Sequence, residues 1–158
     1  MKKPVFVSAQ DAAAMIGDGK TVATIGMTLV SASETILKAI EKRFLETGSP
    51  NQLTLVHSCG QSDRDRGIQH FSHDGMLKCI IGGHWGLQPR MMKMIAENKM
   101  LAYCLPQGQF AQLYRSMAGG EPGKITKVGL GTFIDPRLGG GKMNEITPAE
   151  IIQWQNTI

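Results

Sequence analysis

Apolar positions along this chain recur at helical spacing in some stretches and as short continuous runs in others, and the two kinds alternate. Ser8 is placed to cap a short helix through Ala12, Ala13, Ala14, Met15 and Ile16, with Asp11 in its first turn and Gly17 as the stop. Gly19 turns the chain into Thr21–Ile25, β-branched enough to predict a buried strand. Between Ser33 and Thr47 the spacing of Ile36, Leu37, Ile40 and Phe44 predicts a helix, which Gly48-Ser49-Pro50 ends. A second strand is predicted at Leu53–His57, followed by a polar loop from Ser58 to Gly67 and an irregular stretch to Asp74-Gly75. Leu77–Ile81 reads as a third strand running into Gly82-Gly83. Pro89 suits the first turn of a helix through Met91, Met94 and Ile95 that stops near Asn98. Met100–Leu105 is a fourth strand, and Phe110, Leu113, Tyr114 and Met117 mark a helix ending at Gly119-Gly120. Beyond it the pattern predicts a short strand over Ile125–Val128, glycine turns, and a final helix capped at Thr147-Pro148.

Strands alternating with helices favour an α/β fold. The expectation is an open, mostly parallel sheet with helices on both faces, because parallel neighbours require crossover connections. In such sheets ligands meet the loops that leave the carboxyl ends of the strands. The loops that qualify span 26–32, 58–67, 82–88 and 106–109.

Composition narrows the classes. The 158 residues suit one domain, and 42% hydrophobic with 19% charged residues argues against disorder. The net charge of +4 is mild and its cations are scattered, so a nucleic-acid groove is disfavoured while a small anionic ligand fits. Cys59, Cys79 and Cys104 lack CxxC spacing, which with no secretory leader reads as reduced thiols in a cytoplasmic protein, Cys79 and Cys104 as buried inert ones. No apolar run approaches the roughly eighteen residues of a membrane span.

Several constellations carry candidate chemistry, each beside a plainer reading. The Gly26 loop joins a strand to a helix, so its backbone N–H groups can face an anion, although any such turn may hold a glycine. Gly82-Gly83-His84-Trp85-Gly86 lets the backbone approach a ligand, with Trp85 as a flat surface and His84 as a donor; the alternative is a tight turn with Trp85 folded into the core. Pro106-Gln107-Gly108 follows a strand and precedes a helix, where the Gln107 amide can donate to a carbonyl or carboxylate oxygen, or be a solvated helix-entry residue. Gly129-x-Gly131 lacks the third glycine of a dinucleotide fingerprint, since position 134 is Ile. His70-x-x-His73 with Asp74 has no obvious further metal ligand, and Asp63-x-Asp65 departs from a calcium loop, so both read as solvated surface. No GxSxG elbow occurs.

Taken in order, these segments resemble the N-terminal half of family I coenzyme A transferases, in the acetate/acetoacetate and propionate CoA-transferase branch. The resemblance runs from about Ala9 to Glu145 and rests on Ile80–Pro89, Ala102–Gly108, Pro122-Gly123, Val128–Arg137 and Gly140–Asn144. It implies a CoA-transferase and sugar-phosphate-isomerase-like sheet, incomplete at the C-terminus, with residues 1–158 forming a truncated N-terminal domain. The family reaction it implies is ping-pong: a glutamate attacks an acyl-CoA, an enzyme–CoA thioester forms through an anhydride, and a second short-chain carboxylic acid takes the CoA. Coenzyme A is then a substrate, no cofactor is tightly bound, and no metal is expected. The catalytic glutamate belongs to a second half or companion subunit, so this chain alone is expected to be inactive.

Residue by residue, the resemblance assigns site-wall and oxyanion support to Gly26, Met27, Thr28 and Gln107, and substrate contact to Gly82, Gly83, His84, Trp85, Gly108, Gly129, Gly131 and Thr132. Glu34 also fits the segment around Gly26, whereas Thr28, Ser31 and Ser33 stand where the family usually has Gly, Gly and Pro. Expected partners are an acyl-CoA, a carboxylic acid and further copies of the chain, with neither nucleic acid nor membrane. Alternatives are a stand-alone phosphosugar- or CoA-binding module and a degenerate enzyme that has lost the loop glycines.

Overall fold

The computed structural model describes residues 4–149, so the helix expected beyond Thr147-Pro148 lies outside the described residues. Helix α1 (Ala9–Ala14) begins as the sequence implies, with the Asp11 amide donating to Ser8 Oγ at 3.1 Å. Strand β1 (Thr21–Thr24) leads to α2 (Glu34–Thr47), which ends where Gly48 takes a left-handed φ of 72° and returns its N–H to the Phe44 carbonyl. Strand β2 (Leu53–His57), strand β3 (Leu77–Gly82), α3 (Pro89–Ala96), strand β4 (Leu101–Cys104) and α4 (Gln107–Ala118) follow.

The sheet is parallel throughout and its strands stand in chain order, β1-β2-β3-β4. The crossovers between successive neighbours place the intervening helices α2 and α3 on one face. Leu55, Ile80 and Ala102 are paired across that face and share a core with Leu37 and Ile40 of α2 and with Met91 and Ile95 of α3. One position further along each strand, Val56, Ile81 and Tyr103 point the other way, where α4 supplies Phe110 and Tyr114. Helices therefore cover both faces, as expected, but unequally.

Several local expectations are corrected. β1 is the outer strand and only half-buried, because nothing pairs its free edge among the described residues. Ile36 stays partly in solvent while Ala39 joins Leu37 and Ile40 inside. No strand forms over Ile125–Val128, and Ile125 is 100% exposed. Its two apolar residues lie three apart, so a period of two cannot bring them to one face. The other edge of the sheet is instead closed by residues 141–143, which run antiparallel to β4. There the Cys104 amide donates to Gly141 O and the Met143 amide to Ala102 O.

The stretch expected to be irregular contains a 3-10 turn, Gly67–Phe71, with every residue buried. It plugs the gap between α2 and α3 rather than lying on the surface. His70 is correspondingly buried and His73 half-buried, both held by carboxylates. The His70 ring lies between Glu41 Oε2 at 2.5 Å and Glu34 Oε1 at 2.9 Å, and His73 Nε2 is 2.7 Å from Glu41 Oε1. Asp63 caps its own turn, accepting from the amides of Asp65 and Arg66 and from the Arg66 guanidinium, which holds its carboxyl down at about 2.

Candidate functional site

Register brings the strand exits together. Thr24 pairs with His57, His57 with Gly82, and Gly82 with Cys104, so all strands end on one transverse row. The residues leaving that row (Gly26, Cys59, His84 and Pro106, each two past its strand end) begin a single rim. Contacts tie it together. The Thr28 amide donates to Gly60 O at 2.9 Å, Cys59 Sγ lies 3.4 Å from Gln107 Oε1, and Gln107 Nε2 lies 3.4 Å from Gly83 O. Gln107 and Gly108 form the first turn of α4, and His84 is exposed with its ring close to Gly60 and Gly86.

Within that rim some side chains take places other than those expected. Trp85 is only 5% exposed and sits in the core, its ring edge-on to His57 at 4.8 Å between centroids. It offers no flat surface to a ligand; the tight-turn alternative holds. Gly82 and Gly83 are likewise filled by the protein itself. A Cβ on Gly82 would lie 2.1 Å from His57 Nε2, and one on Gly83 would lie 2.4 Å from Gln107 Cγ and 2.5 Å from Ser58 O. These glycines allow two strand exits to close-pack, whereas a Cβ on Gly108 would meet nothing within 4 Å.

The Gly26 loop folds on itself. The Met27 amide donates to Val30 O at 3.2 Å, the Val30 amide returns to Met27 O at 2.9 Å, and Thr28 Oγ1 donates to Met27 O. The amides of Met27 and Thr28 are thus engaged within the protein and do not face an oxyanion here. Thr28 and Ser31 both have positive φ, 53° and 63°. The backbone keeps the conformation that glycine would adopt, at a steric cost borne by a β-branched residue and a serine. Replacing them, Thr28→Gly and Ser31→Gly, is expected to stabilise the fold by about 1 kcal/mol each by relieving that strain, less the extra backbone entropy of glycine. Urea unfolding of both variants checks this; a loss of stability at either position would refute it.

Gly129, Gly131 and Thr132 stand apart from these contacts. Thr132 Oγ1 donates to Gly129 O, and the Gly131 amide donates to Asp135 Oδ2 at 2.8 Å. Arg137 on both oxygens of Asp135 holds that carboxyl well below the usual range, helped by the Gly131 and Arg137 amides. Their hydrogen bonds close a turn whose next residue, Phe133, accepts from the Gly141 amide, and Gly141 O in turn accepts from the Cys104 amide at the end of β4.

Beneath the rim lies His57, a residue that motif reading passed over, 0% exposed with Nδ1 2.7 Å from Cys59 O. Burial drives its pKa from 6.5 down to about 4, against the Cys59 carbonyl that favours the charged ring; His84 nearby adds to the lowering. A histidine with a depressed folded pKa contributes stability in full above 6.5, and loses it as pH falls toward 4, because only the unfolded chain takes up the proton. His57→Gln is expected to flatten the fall in stability between those values. Unfolding free energies at pH 7.0, about 5.5 and about 4.5 test it; an unchanged slope would count against the buried neutral ring. The loop 58–67 was expected at the rim, but Ser58, Cys59 and Gly60 were not singled out within it; the signal is positional, since Cys59 follows β2 at the offset that Gly26, His84 and Pro106 have after their own strands. Cys79 is half-buried, and burial pushes its thiol up to about 11.

An open parallel α/β sheet with one glycine-rich rim has clear relatives. The family model for coenzyme A transferase matches residues 6–152, and the chain belongs to that family. It is 42% identical over 149 residues to caffeate CoA-transferase of Acetobacterium woodii, covering 94% of this chain and 28% of that protein. To acetate CoA-transferase YdiF of Escherichia coli (strain K12) it is 37% identical over 149 residues, covering 93% of this chain and 28% of that one. The solved acyl-CoA transferase YdiF apoenzyme from Escherichia coli O157:H7 superimposes with a TM-score of 0.86 at 36% identity, over 96% of this chain and 31% of that chain. The chain thus spans about 28% of the length of these curated relatives. None of them is a phosphosugar-binding module.

Proposed function

We propose that residues 1–158 form one wall of an acyl-CoA:carboxylate CoA-transferase site, with the nucleophilic glutamate supplied by a further segment or companion polypeptide. The observation that carries this reading is the in-register row Thr24–His57–Gly82–Cys104, which turns four separate loops into one rim. In the proposed cycle the glutamate attacks the thioester carbonyl and expels CoA thiolate, leaving an acyl-glutamyl anhydride. The thiolate then attacks the glutamyl carbonyl, releasing the first carboxylate and leaving a glutamyl–CoA thioester. A second short-chain carboxylate reverses both steps and departs as the new acyl-CoA.

Each addition builds negative charge on a carbonyl oxygen, so the rim must present donors. Among the described residues Gln107 Nε2 is held only by a 3.4 Å contact to Gly83 O and can exchange it for an oxyanion. The Gln107 and Gly108 amides at the start of α4 add to it, the Gln109 amide being given to Pro106 O, since that helix has no side-chain cap and no acidic residue in its first turn. With the Met27 and Thr28 amides already engaged, this end of α4 is the oxyanion support we assign, and Gly108 leaves the approach open. Free thiols at Cys59, Cys79 and Cys104 suit a reducing, cytoplasmic setting.

The test is a chimera in which residues 6–149 replace the matching segment of YdiF. A folded chimera should accumulate a glutamyl–CoA thioester, seen by mass spectrometry, when given acyl-CoA. Gln107→Ala in that chimera should slow transfer about 100-fold. A folded chimera that forms no adduct would overturn the reading.

A further inference from the structure

Gln107 is the first residue of α4, and the ends of its side-chain amide meet different chemistry. Nε2 lies 3.4 Å from Gly83 O, and Oε1 lies 3.4 Å from Cys59 Sγ. A backbone carbonyl only accepts, whereas a thiol can donate, so one orientation of the amide satisfies both contacts. Turned over, the amide would set its oxygen against Gly83 O, acceptor facing acceptor, and its N–H groups against a sulfur that accepts weakly. The terminal torsion of a glutamine is broad and roughly two-fold, so the side chain itself does not make that choice. Its neighbours do.

The sulfur is itself held in place. Nδ1 of the buried His57 ring lies 2.7 Å from Cys59 O; the carbonyl accepts, so Nδ1 carries the proton and donates. On the other side, Gly60 O accepts from the Thr28 amide, and a Cβ on Gly60 would lie 2.7 Å from His84 Nδ1. The turn leaving β2 is thus pinned on both sides of Cys59, and its half-buried thiol reaches across to α4. An unbroken series of contacts runs from His57 to Cys59, from Cys59 to Gln107, and from Gln107 to Gly83 at the exit of β3.

Resting on the assignment of Gln107 as oxyanion support above, we propose that Cys59 is a positioning residue for the transfer. Its thiol donates to Gln107 Oε1 and keeps the N–H side of the amide, rather than its carbonyl, available to the reacting oxygen. With Oε1 engaged by the thiol and one Nε2 hydrogen turned to Gly83 O, the other Nε2 hydrogen is the group left to offer. Accepting from the thiol also polarises the amide, which strengthens that hydrogen as a donor. In this role Cys59 acts through Gln107 and forms no bond to substrate.

The test is single-turnover thioester formation in the YdiF chimera, with the rate of the chemical step and the affinity for acyl-CoA measured separately. Cys59→Ala removes the donor and should slow the chemical step about fivefold, the worth of one ordinary hydrogen bond, with affinity unchanged. Cys59→Ser restores a donor and should recover most of that loss. Added to Gln107→Ala, Cys59→Ala should slow nothing further, because the amide it positions is gone. A second measurement needs no turnover: alkylation of Cys59 by iodoacetamide in the 158-residue chain, read by peptide mass spectrometry against Cys104. Gln107→Ala should speed it about threefold by releasing the thiol, and an unchanged rate counts against the contact. If Gln107→Ala slows transfer while Cys59→Ala does not, or if Cys59→Ser is as slow as Cys59→Ala, the positioning role is overturned and the oxyanion assignment stands. If Gln107→Ala leaves transfer unchanged, both fall together.

Discussion

His70→Ala is expected to cost about 3 kcal/mol of folding stability, because it removes the group shared by two carboxylates that α2 holds against the 3-10 turn. His70 is 7% exposed, and both its nitrogens face carboxylate oxygens. Glu34 also accepts from the Gly67 amide at 2.9 Å, and Glu41 from His73. Burial alone would raise both carboxyl pKa values. Hydrogen bonds outweigh it, from His70 and the Gly67 amide on Glu34 and from His73 and His70 on Glu41, so both end below 4.5. Carboxylates with depressed folded pKa values contribute stability above their unfolded value near 4.5, and lose it as pH falls through the lower folded values. Deleting the ring should therefore raise both pKa values and move acid unfolding to higher pH. Urea titrations at pH 7 and a pH-unfolding curve read the two effects. A cost under about 1 kcal/mol, with the acid midpoint unmoved, would show the ring to be an ordinary surface contact.

Much of the frame was legible because each element announces itself locally. Leu53–His57 is an apolar β-branched run bounded by turn residues, and its bounds match the strand observed. Ser8, Gly48 and Pro89 are punctuation whose chemistry is independent of the rest of the fold. The rim was legible one step further on, since a parallel sheet exposes its carboxyl ends together. What the sequence hid depends on partners far along the chain. Trp85 turns inward because His57 offers it an edge, twenty-eight positions earlier, and neither residue alone carries that information. Gly82 and Gly83 looked like room for a ligand, but their missing Cβ atoms make room for His57, Gln107 and Ser58. His70 and His73 looked solvated because the glutamates they bind lie on a helix some thirty residues away.

The departures at Thr28 and Ser31 illustrate the same distinction. Residue type alone left open a degenerate enzyme that has lost the loop glycines. The positive φ values show that the turn and its tether to Gly60 hold the backbone where glycine would put it. What the substitutions change is the side-chain surface, on a turn that also exposes Met27 and Val30.

Gly83→Ala is expected to damage both stability and transfer, and the two losses can be separated. The added methyl would overlap Gln107 Cγ at 2.4 Å and Ser58 O at 2.5 Å, with the Gln107 Cα at 3.1 Å behind them. Two of those atoms belong to backbone, so a side-chain rotation cannot absorb the clash. The exit of β2 and the first turn of α4 must move apart, costing about 3 kcal/mol by overpacking. In the YdiF chimera a displacement near 1 Å at Gln107 should lower transfer about 100-fold. Adding Gln107→Ala removes Cγ while leaving Ser58 O in place, so the pair should regain part of the lost stability and none of the lost activity. Chemical unfolding and single-turnover thioester formation on the same proteins measure the two quantities. Recovery of transfer in the double variant would mean that Gln107 is a spectator on this rim, and that its amide has no share in the chemistry.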